Sequence, residues 1–309
     1  MRSNTGADQA EGLRRLLVRN QTRIITLVAG KPRVGCTSTA INLAAALARS
    51  GKDVMVLDEN HAPNNLPDRL GLSARHDLLD VALGKCEPRE AVLTTRGFSV
   101  VPAARAMHAL MKLNQAERQR LENALTEVSS GIDVMLVDAA MPPMSKVEGL
   151  AGQAAVSSSL APGASLLLVV DATATGITGS YALIKRLALE NARLQFEIVV
   201  NKVADEQAAM TVFGNMAKVA RRNLAARLEY LGYVPLDDRL KRAVQLGMPV
   251  VEAFPVSCSA QSYLALAQKL LFLPVNRNDQ EGGVGHMIQS LARQVHHCHV
   301  NAAENALTM

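Results

Sequence analysis

Apolar and polar positions along the chain alternate between two kinds of segment. Short, mainly apolar runs rich in Val, Ile and Leu occupy residues 24–29, 53–57, 98–101, 132–137, 164–170, 196–200 and 228–234. Runs of this kind predict strands buried on both faces. Between them lie longer segments with helical spacing. After the first run, Ile41, Leu43, Ala44 and Leu47 give a helix one apolar face, and Gly51 ends it. Further helices are predicted at 76–83, stopped by Gly84, at 114–128 with Leu121 and Leu125 inward, and at 179–191, 206–226, 238–246 and 259–271. Pro63, Asn64, Asn65 and Pro67 predict a loop over 59–69. Residues 139–163, rich in Ala, Ser, Pro, Gly and Met, predict an irregular inserted segment. Strand and helix in alternation predict an α/β fold: a mostly parallel sheet with helices on both faces.

The flanks differ in pattern. Residues 1–7 are polar, and 8–18 predict a short helix capped by Asp8, with Glu11 at capping-box spacing and an apolar stripe of Ala10, Leu13, Leu16 and Leu17. At the other end, 274–283 has linker composition. Residues 287–295 then predict an amphipathic helix, with Met287, Ile288, Leu291 and Val295 opposite Gln289, Arg293, Gln294 and His296. The chain thus divides into a tail and helix at 1–22, a main domain at 23–273, and a linker and tail at 274–309.

Composition narrows the choices. The 309 residues suffice for one large core, built without Trp from Ala, Val, Leu, Ile and Met. The net charge of +5 is too small to argue for nucleic acid, and no such partner is expected. Cys36, Cys86, Cys258 and Cys298 show no C-x-x-C pairing, which disfavours a zinc ribbon, an iron–sulfur carrier or a disulfide scaffold and fits a reducing cytoplasm. No apolar run reaches transmembrane length, and a signal-peptide core is not expected.

Chemistry concentrates after the first strand. Residues 30–37, GKPRVGCT, keep the frame G-x-x-x-x-G-K-[ST] of a phosphate loop, but Cys36 replaces its lysine. Such a loop aims backbone N–H groups and a helix dipole at phosphate oxygens. Gly30 and Gly35 keep the turn, Thr37 can offer its hydroxyl to Mg²⁺, and Ser38 follows it. Pro32 lacks an N–H and Arg33 carries a Cβ. The missing ammonium should cost roughly 1.5–3 kcal/mol or more of phosphate binding, which Lys31 and Arg33 could partly offset. Two readings stay open at Cys36: a thiolate favoured by the helix N-terminus, or a small residue that packs. Asp58, Asp138, Asp171 and Asn201 recur at predicted C-terminal strand ends, the edge where open α/β sheets bind ligands.

These residues carry a resemblance. GKPRVGCTS resembles the deviant phosphate loop GKGGVGKTT of the MinD/ParA ATPases, including the early signature lysine at Lys31. Asp58-Glu59-Asn60 with Asn65-Leu66 is similar to that family's first switch, D-x-D-x-x-x-x-N-L, with Asn60 in place of its second aspartate. Asp138 to Pro142 matches the second switch without its glycines. Residues 169–185 and 231–257 resemble further stretches of the family, and the likeness spans about 23–273. It implies a phosphate-loop NTPase-like fold that binds ATP and Mg, the latter through Thr37. It implies a nucleotide site at Gly30, Lys31, Gly35, Cys36, Thr37, Ser38, Asp58, Asp138 and Asn201, with Asn201 near the adenine. It also implies homodimers in which Lys31 reaches the partner's nucleotide. Cys36, Asn60 and Ala140 all alter catalytic parts, so nucleotide binding without turnover, or loss of both, is expected.

Within the family, the segment Asp8-Gln9-Ala10-Glu11-Gly12-Leu13-Arg14 resembles the D-Q-A-x-x-L-R helix of the FlhG subfamily, also called FleN or YlxH. That likeness implies a regulator of flagellar number whose N-terminal helix activates an FlhF-type GTPase. Gln9 would enter the GTPase site to orient water, Asp8 would cap the helix, Leu13 would dock and Arg14 would make polar contacts. Flagellar switch proteins or a flagellar transcription regulator are further implied partners. Members of this subfamily end in an amphipathic membrane-binding helix, which implies contact of Met287, Ile288, Leu291 and Val295 with the inner face of the cell membrane; because the polar face here is poor in Lys and Arg, docking on the main domain is an equal alternative. The alternative is an active MinD/ParA-type ATPase cycling between cytoplasmic monomer and membrane-bound dimer.

Overall fold

The computed structural model describes residues 22–63, 65–140, 165–190, 195–224, 226–273 and 287. Its strands are β1 Arg23–Ala29, β2 Val54–Asp58, β3 Leu93–Thr94, β4 Phe98–Pro102, β5 Val134–Asp138, β6 Ser165–Asp171, β7 Gln195–Val203 and β8 Arg227–Pro235. The helices are α1 Cys36–Arg49, α2 Leu66–Arg69, α3 Leu78–Ala82, α4 Ala104–Ala109, α5 Gln115–Val128, α6 Ala174–Glu190, α7 Glu206–Leu224, α8 Asp238–Gln245, α9 Val250–Ala253 and α10 Cys258–Phe272. The strands form one sheet in the order β3-β4-β2-β5-β1-β6-β7-β8. Each neighbouring pair is parallel except the short β3–β4 pair.

Every residue of β1, β2, β5 and β6 is buried, as their mainly apolar sequences predict. Alternation along β1 sends side chains to two layers. Ile25 and Leu27 meet Leu43 and Leu47 of α1, backed by Tyr263, Leu266 and Leu270 of α10. Ile24 packs with Met107 of α4 and Leu121 and Leu125 of α5. Val28 packs with Leu183 and Leu187 of α6 and Met216 of α7. Helices therefore cover both faces, as expected.

Several elements differ from the sequence reading. Helix α1 is buried continuously over Thr39–Leu47 rather than along one face, because α9 and α10 cover the side that the sheet leaves. Within it, Asn42 accepts from the N–H of Val250, 2.6 Å away, at the start of α9. The 59–69 loop ends in a helical turn, α2: the Asn65 side chain accepts from the N–H of Asp68 at 3.0 Å, and Pro67 sits in the first turn, where its missing N–H costs nothing. Helix α6 starts at Ala174, five residues before the expected 179, because the Thr173 hydroxyl accepts from the N–H of Gly176 at 3.0 Å and starts a helix through glycines. The short β3, α4 and α9 are too brief to leave a periodic signal.

The predicted helix at 8–18, the linker at 274–283 and most of the irregular 139–163 stretch lie outside the described residues. Of the predicted tail helix, Met287 alone is described. It is helical and buried, within the cluster formed by Ile24, Met55, Leu57 and Met135. Of the two readings of this tail, membrane contact and docking on the main domain, the Met287 side chain follows the second.

Candidate functional site

The sheet order reverses around β1: β2 lies beyond β5 on one side, and β6 adjoins it on the other. The loop after β1 therefore opens at the topological switch point on the C-terminal edge, the preferred ligand crevice of this architecture. Two glycines shape it. A Cβ on Gly30 would stand 2.2 Å from the Gly179 carbonyl carbon, so α6 requires glycine there. Gly35 has φ 108°, and a Cβ on it would lie 2.4 Å from Asn201 Nδ2. The end of β7 braces the same loop: the Asn201 amide donates to the Val34 carbonyl at 2.8 Å, and the Lys202 ammonium donates to the Arg33 carbonyl. Arg33 at φ 64° and Lys202 at φ 60° both hold left-handed backbone, a local strain that among the described non-glycine residues falls at this junction. Asn201, expected near an adenine, is 4% exposed and turned to the loop.

Helix α1 begins directly at Cys36, and no side chain caps it. Its first-turn N–H groups are available to an anion. Beside them lie two aspartates in register on adjacent strands, Asp58 of β2 and Asp138 of β5. Their surroundings differ. Asp58 Oδ1 accepts from the Asn60 backbone N–H at 3.0 Å and from Asn60 Nδ2 at 3.2 Å, while Oδ2 accepts from the Leu66 N–H at 2.9 Å. Burial raises its pKa, and these bonds oppose the rise. Asp58 therefore anchors the segment leading into α2. Asn60 also donates to the Asp138 carbonyl at 3.0 Å, and Glu59 accepts from the Ala140 N–H at 3.2 Å. The first- and second-switch segments are thus cross-linked.

Asp138 is fully buried, and neither carboxylate oxygen has a partner in full hydrogen-bond geometry. Its pKa is raised to about 7, by burial first and then by the Asp58 charge; the nearby Thr37 hydroxyl and Cys36 thiol pull the other way. The thiol is pushed well above its ordinary range, by burial first and then by Asp138. This overturns the thiolate reading of Cys36. The dipole of α1 favours an anion, but burial against a carboxylate outweighs it. Cys36 is a neutral thiol, and its carbon packs against Ala29, Val34 and Val169.

The cations around the loop have distinct settings. Lys31 Nζ pairs with Asp171 at 3.3 Å and donates to the Thr173 and Thr175 hydroxyls, each at 2.9 Å, so it is held against the end of β6 and the start of α6. Arg33 is exposed. Arg69, which sequence reasoning missed, donates from Nη1 to Ser38 Oγ at 3.3 Å, and its charge acts on Asp138. The available signal was a basic residue just past the Asn65-Leu66 end of the first-switch pattern. Gly30, Lys31, Gly35, Cys36, Thr37, Ser38, Asp58, Asn60, Asp138 and Asn201 lie at this edge of the sheet. Asp8, Gln9, Leu13, Arg14, Ile288, Leu291 and Val295 lie outside the described residues.

The arrangement fits a phosphate chain and a magnesium ion. The uncapped α1 N-terminus suits phosphate oxygens, and the Thr37 hydroxyl beside the orphaned Asp138 carboxylate suits a hard cation. The absent feature is the ammonium that the loop normally carries at position 36.

A glycine-hinged loop between a central parallel strand and a helix, bordered by strand-end aspartates, defines a phosphate-loop nucleotide-binding fold. Residues 25–250 match the model of the CobQ/CobB/MinD/ParA nucleotide binding domain, and the chain belongs to that family as a FlhG-like member. It is 34% identical over 276 residues to the antiactivator FleN of Pseudomonas aeruginosa, covering 89% of this chain and 94% of that protein. The fold matches that of the MinD cell division protein of Aquifex aeolicus with a TM-score of 0.59 at 22% identity, over 83% of this chain and 100% of the other. It also matches the septum site-determining protein MinD of Pyrococcus horikoshii in complex with Mg-ADP, with a TM-score of 0.57 at 21% identity, over 82% and 97% of the two chains.

Proposed function

We propose that this protein is a regulator of flagellar number or placement. Its main domain binds ATP and Mg in an altered phosphate loop, and its N-terminal helix stimulates an FlhF-type GTPase. The observation that carries the reading is the likeness to FleN along nearly the whole of both chains. The DQAEGLR segment at 8–14 adds the route to the GTPase, with Gln9 orienting the attacking water in the partner's site. Flagellar switch proteins or a transcription regulator would be further partners, and the working compartment would be the cytoplasm at the inner membrane face. Among the described residues no helix is long and apolar enough to cross a membrane, so contact there would be peripheral.

The test is GTP hydrolysis by the cognate GTPase with the full-length chain added. Wild type should raise the rate, and Gln9→Ala should abolish the rise while leaving complex formation intact. No rise with wild type, or an equal rise with Gln9→Ala, rejects the activator role.

A second reading, an ATPase cycling between monomer and membrane-bound dimer, draws on Thr37 beside the Asp138 carboxylate, the pair suited to magnesium. Turnover of Mg-ATP that disappears in Asp138→Ala would favour it. Asn60 in place of a carboxylate weighs against it, since an amide cannot take up developing negative charge or accept a proton.

A further inference from the structure

The loop lacks its lysine, yet a cation stands over the same helix end from another element. Asp58 Oδ2 accepts from the Leu66 N–H at 2.9 Å, and the Asn65 side chain caps the turn at the Asp68 N–H. These two bonds fix α2, whose last residue is Arg69. The Arg69 guanidinium reaches Ser38 Oγ at 3.3 Å, in the first turn of α1, and its field acts on the buried Asp138 carboxylate. Of the other basic side chains beside the loop, Lys31 is directed to Asp171, Thr173 and Thr175, Lys202 to the Arg33 carbonyl, and Arg33 is exposed to solvent.

Two further observations mark the place as a ligand site. The α1 N-terminus has no side-chain cap, and Asp138 is fully buried with neither oxygen partnered in full hydrogen-bond geometry, the Thr37 hydroxyl and Cys36 thiol lying beside it. Cys36, at the lysine position, is a neutral thiol beside that carboxylate. The anion subsite and its cation subsite are therefore both present, and the fixed charge between them is not on the loop.

We propose that Arg69 supplies, from the first-switch helix, the positive charge for nucleotide phosphates that Cys36 cannot. This rests on the nucleotide-binding reading of the same loop and names the residue that makes it work. A guanidinium suits that role, since it stays charged at any physiological pH and can fork onto two phosphate oxygens. Its position differs from that of a loop lysine in one consequence. The charge rides on a segment hung from Asp58 and Asn65, so phosphate affinity depends on that segment being in place. Arg69 is a binding residue here.

The experiment is calorimetric titration of the full-length chain and its variants with Mg-ATP, Mg-ADP and adenosine. Wild type should bind Mg-ATP. Arg69→Gln should weaken Mg-ATP at least tenfold and Mg-ADP less, with adenosine unchanged, whereas a merely structural role would weaken all three together. Arg69→Lys should recover part of the loss, and Cys36→Lys placed on Arg69→Gln should recover most of it. Thermal unfolding of each variant without ligand shows that α2 and the loop remain folded.

Equal Mg-ATP affinity in wild type and Arg69→Gln overturns the role of Arg69 and leaves the nucleotide reading standing. No binding by wild type, with binding gained in Cys36→Lys, overturns it too, because Arg69 then does not replace the lysine. No binding by either chain rejects the nucleotide reading itself, and this inference with it.

Discussion

At the scale of single residues, the unusual feature is a fully buried carboxyl group whose burial outweighs the groups that stabilise its charge. Asp138 has no exposed surface and no hydrogen-bond partner in full geometry, and its pKa rises to about 7. The sign follows from linkage. The folded state holds the proton more tightly than the unfolded chain, so Asp138 costs nothing below about pH 4, where both states are protonated. The cost grows as pH rises and levels off above about 7, where both are ionised. A rise from the ordinary 3.8 to about 7 corresponds to about 4 kcal/mol. Asp138→Asn should therefore be more stable than wild type at pH 8, with the gap narrowing steadily toward pH 5. Urea unfolding midpoints across that range measure it, and a gap that ignores pH would remove burial as the source of the shift. The cost persists because the same bare carboxylate is what a bound cation would find.

At the scale of elements, the site depends on how β1, α6 and β7 meet. The Gly30 position touches the α6 backbone so closely that a methyl group would stand 2.2 Å from the Gly179 carbonyl carbon. Neither partner is a flexible side-chain tip, so backbone must move. Gly30→Ala should cost about 1–3 kcal/mol, the usual penalty for overpacking, and should weaken Mg-ATP binding as the loop shifts. Thermal unfolding and titration on one sample check both effects, and an unchanged melting temperature would contradict the close approach. The main strands and long helices were legible from apolar runs and helical spacing, because burial on two faces leaves a continuous apolar signature. The start of α6 was not legible. Its glycines and threonines read as loop, and the bond from the Gly176 N–H to the Thr173 hydroxyl belongs to three dimensions. The same holds for α2, because Pro63, Asn64, Asn65 and Pro67 around its start suggest a loop until Asn65 is seen capping it.

At the scale of the whole molecule, two layers of helices close over one sheet, and Met287 joins the distant end of the chain to one of them. It is 5% exposed among Ile24, Met55, Leu57 and Met135. Truncating a buried methionine leaves a cavity, so Met287→Ala should lower stability by about 2–5 kcal/mol. An unfolding midpoint equal to wild type would show that this contact contributes nothing. The pattern of 287–295 showed an apolar stripe, but a stripe does not say what it faces. Core and lipid ask for the same side chains, and for Met287 the packing chose the core.

The sequence alone determined the α/β layering, the loop at 30–37, the strand-end aspartates and the family. These are local patterns, and local patterns survive in one dimension. Tertiary structure decided what the loop's residues do. A helix start favours a thiolate at Cys36, yet desolvation of this half-buried thiol and the carboxylate beside it raise its pKa and keep it neutral. Lys31 sits against Asp171, Asn201 turns to brace the loop, and Arg69, 33 positions beyond Cys36, reaches the first turn of α1. Each outcome depends on which strand ends are neighbours. Sheet order sets that, and spacing along the chain does not.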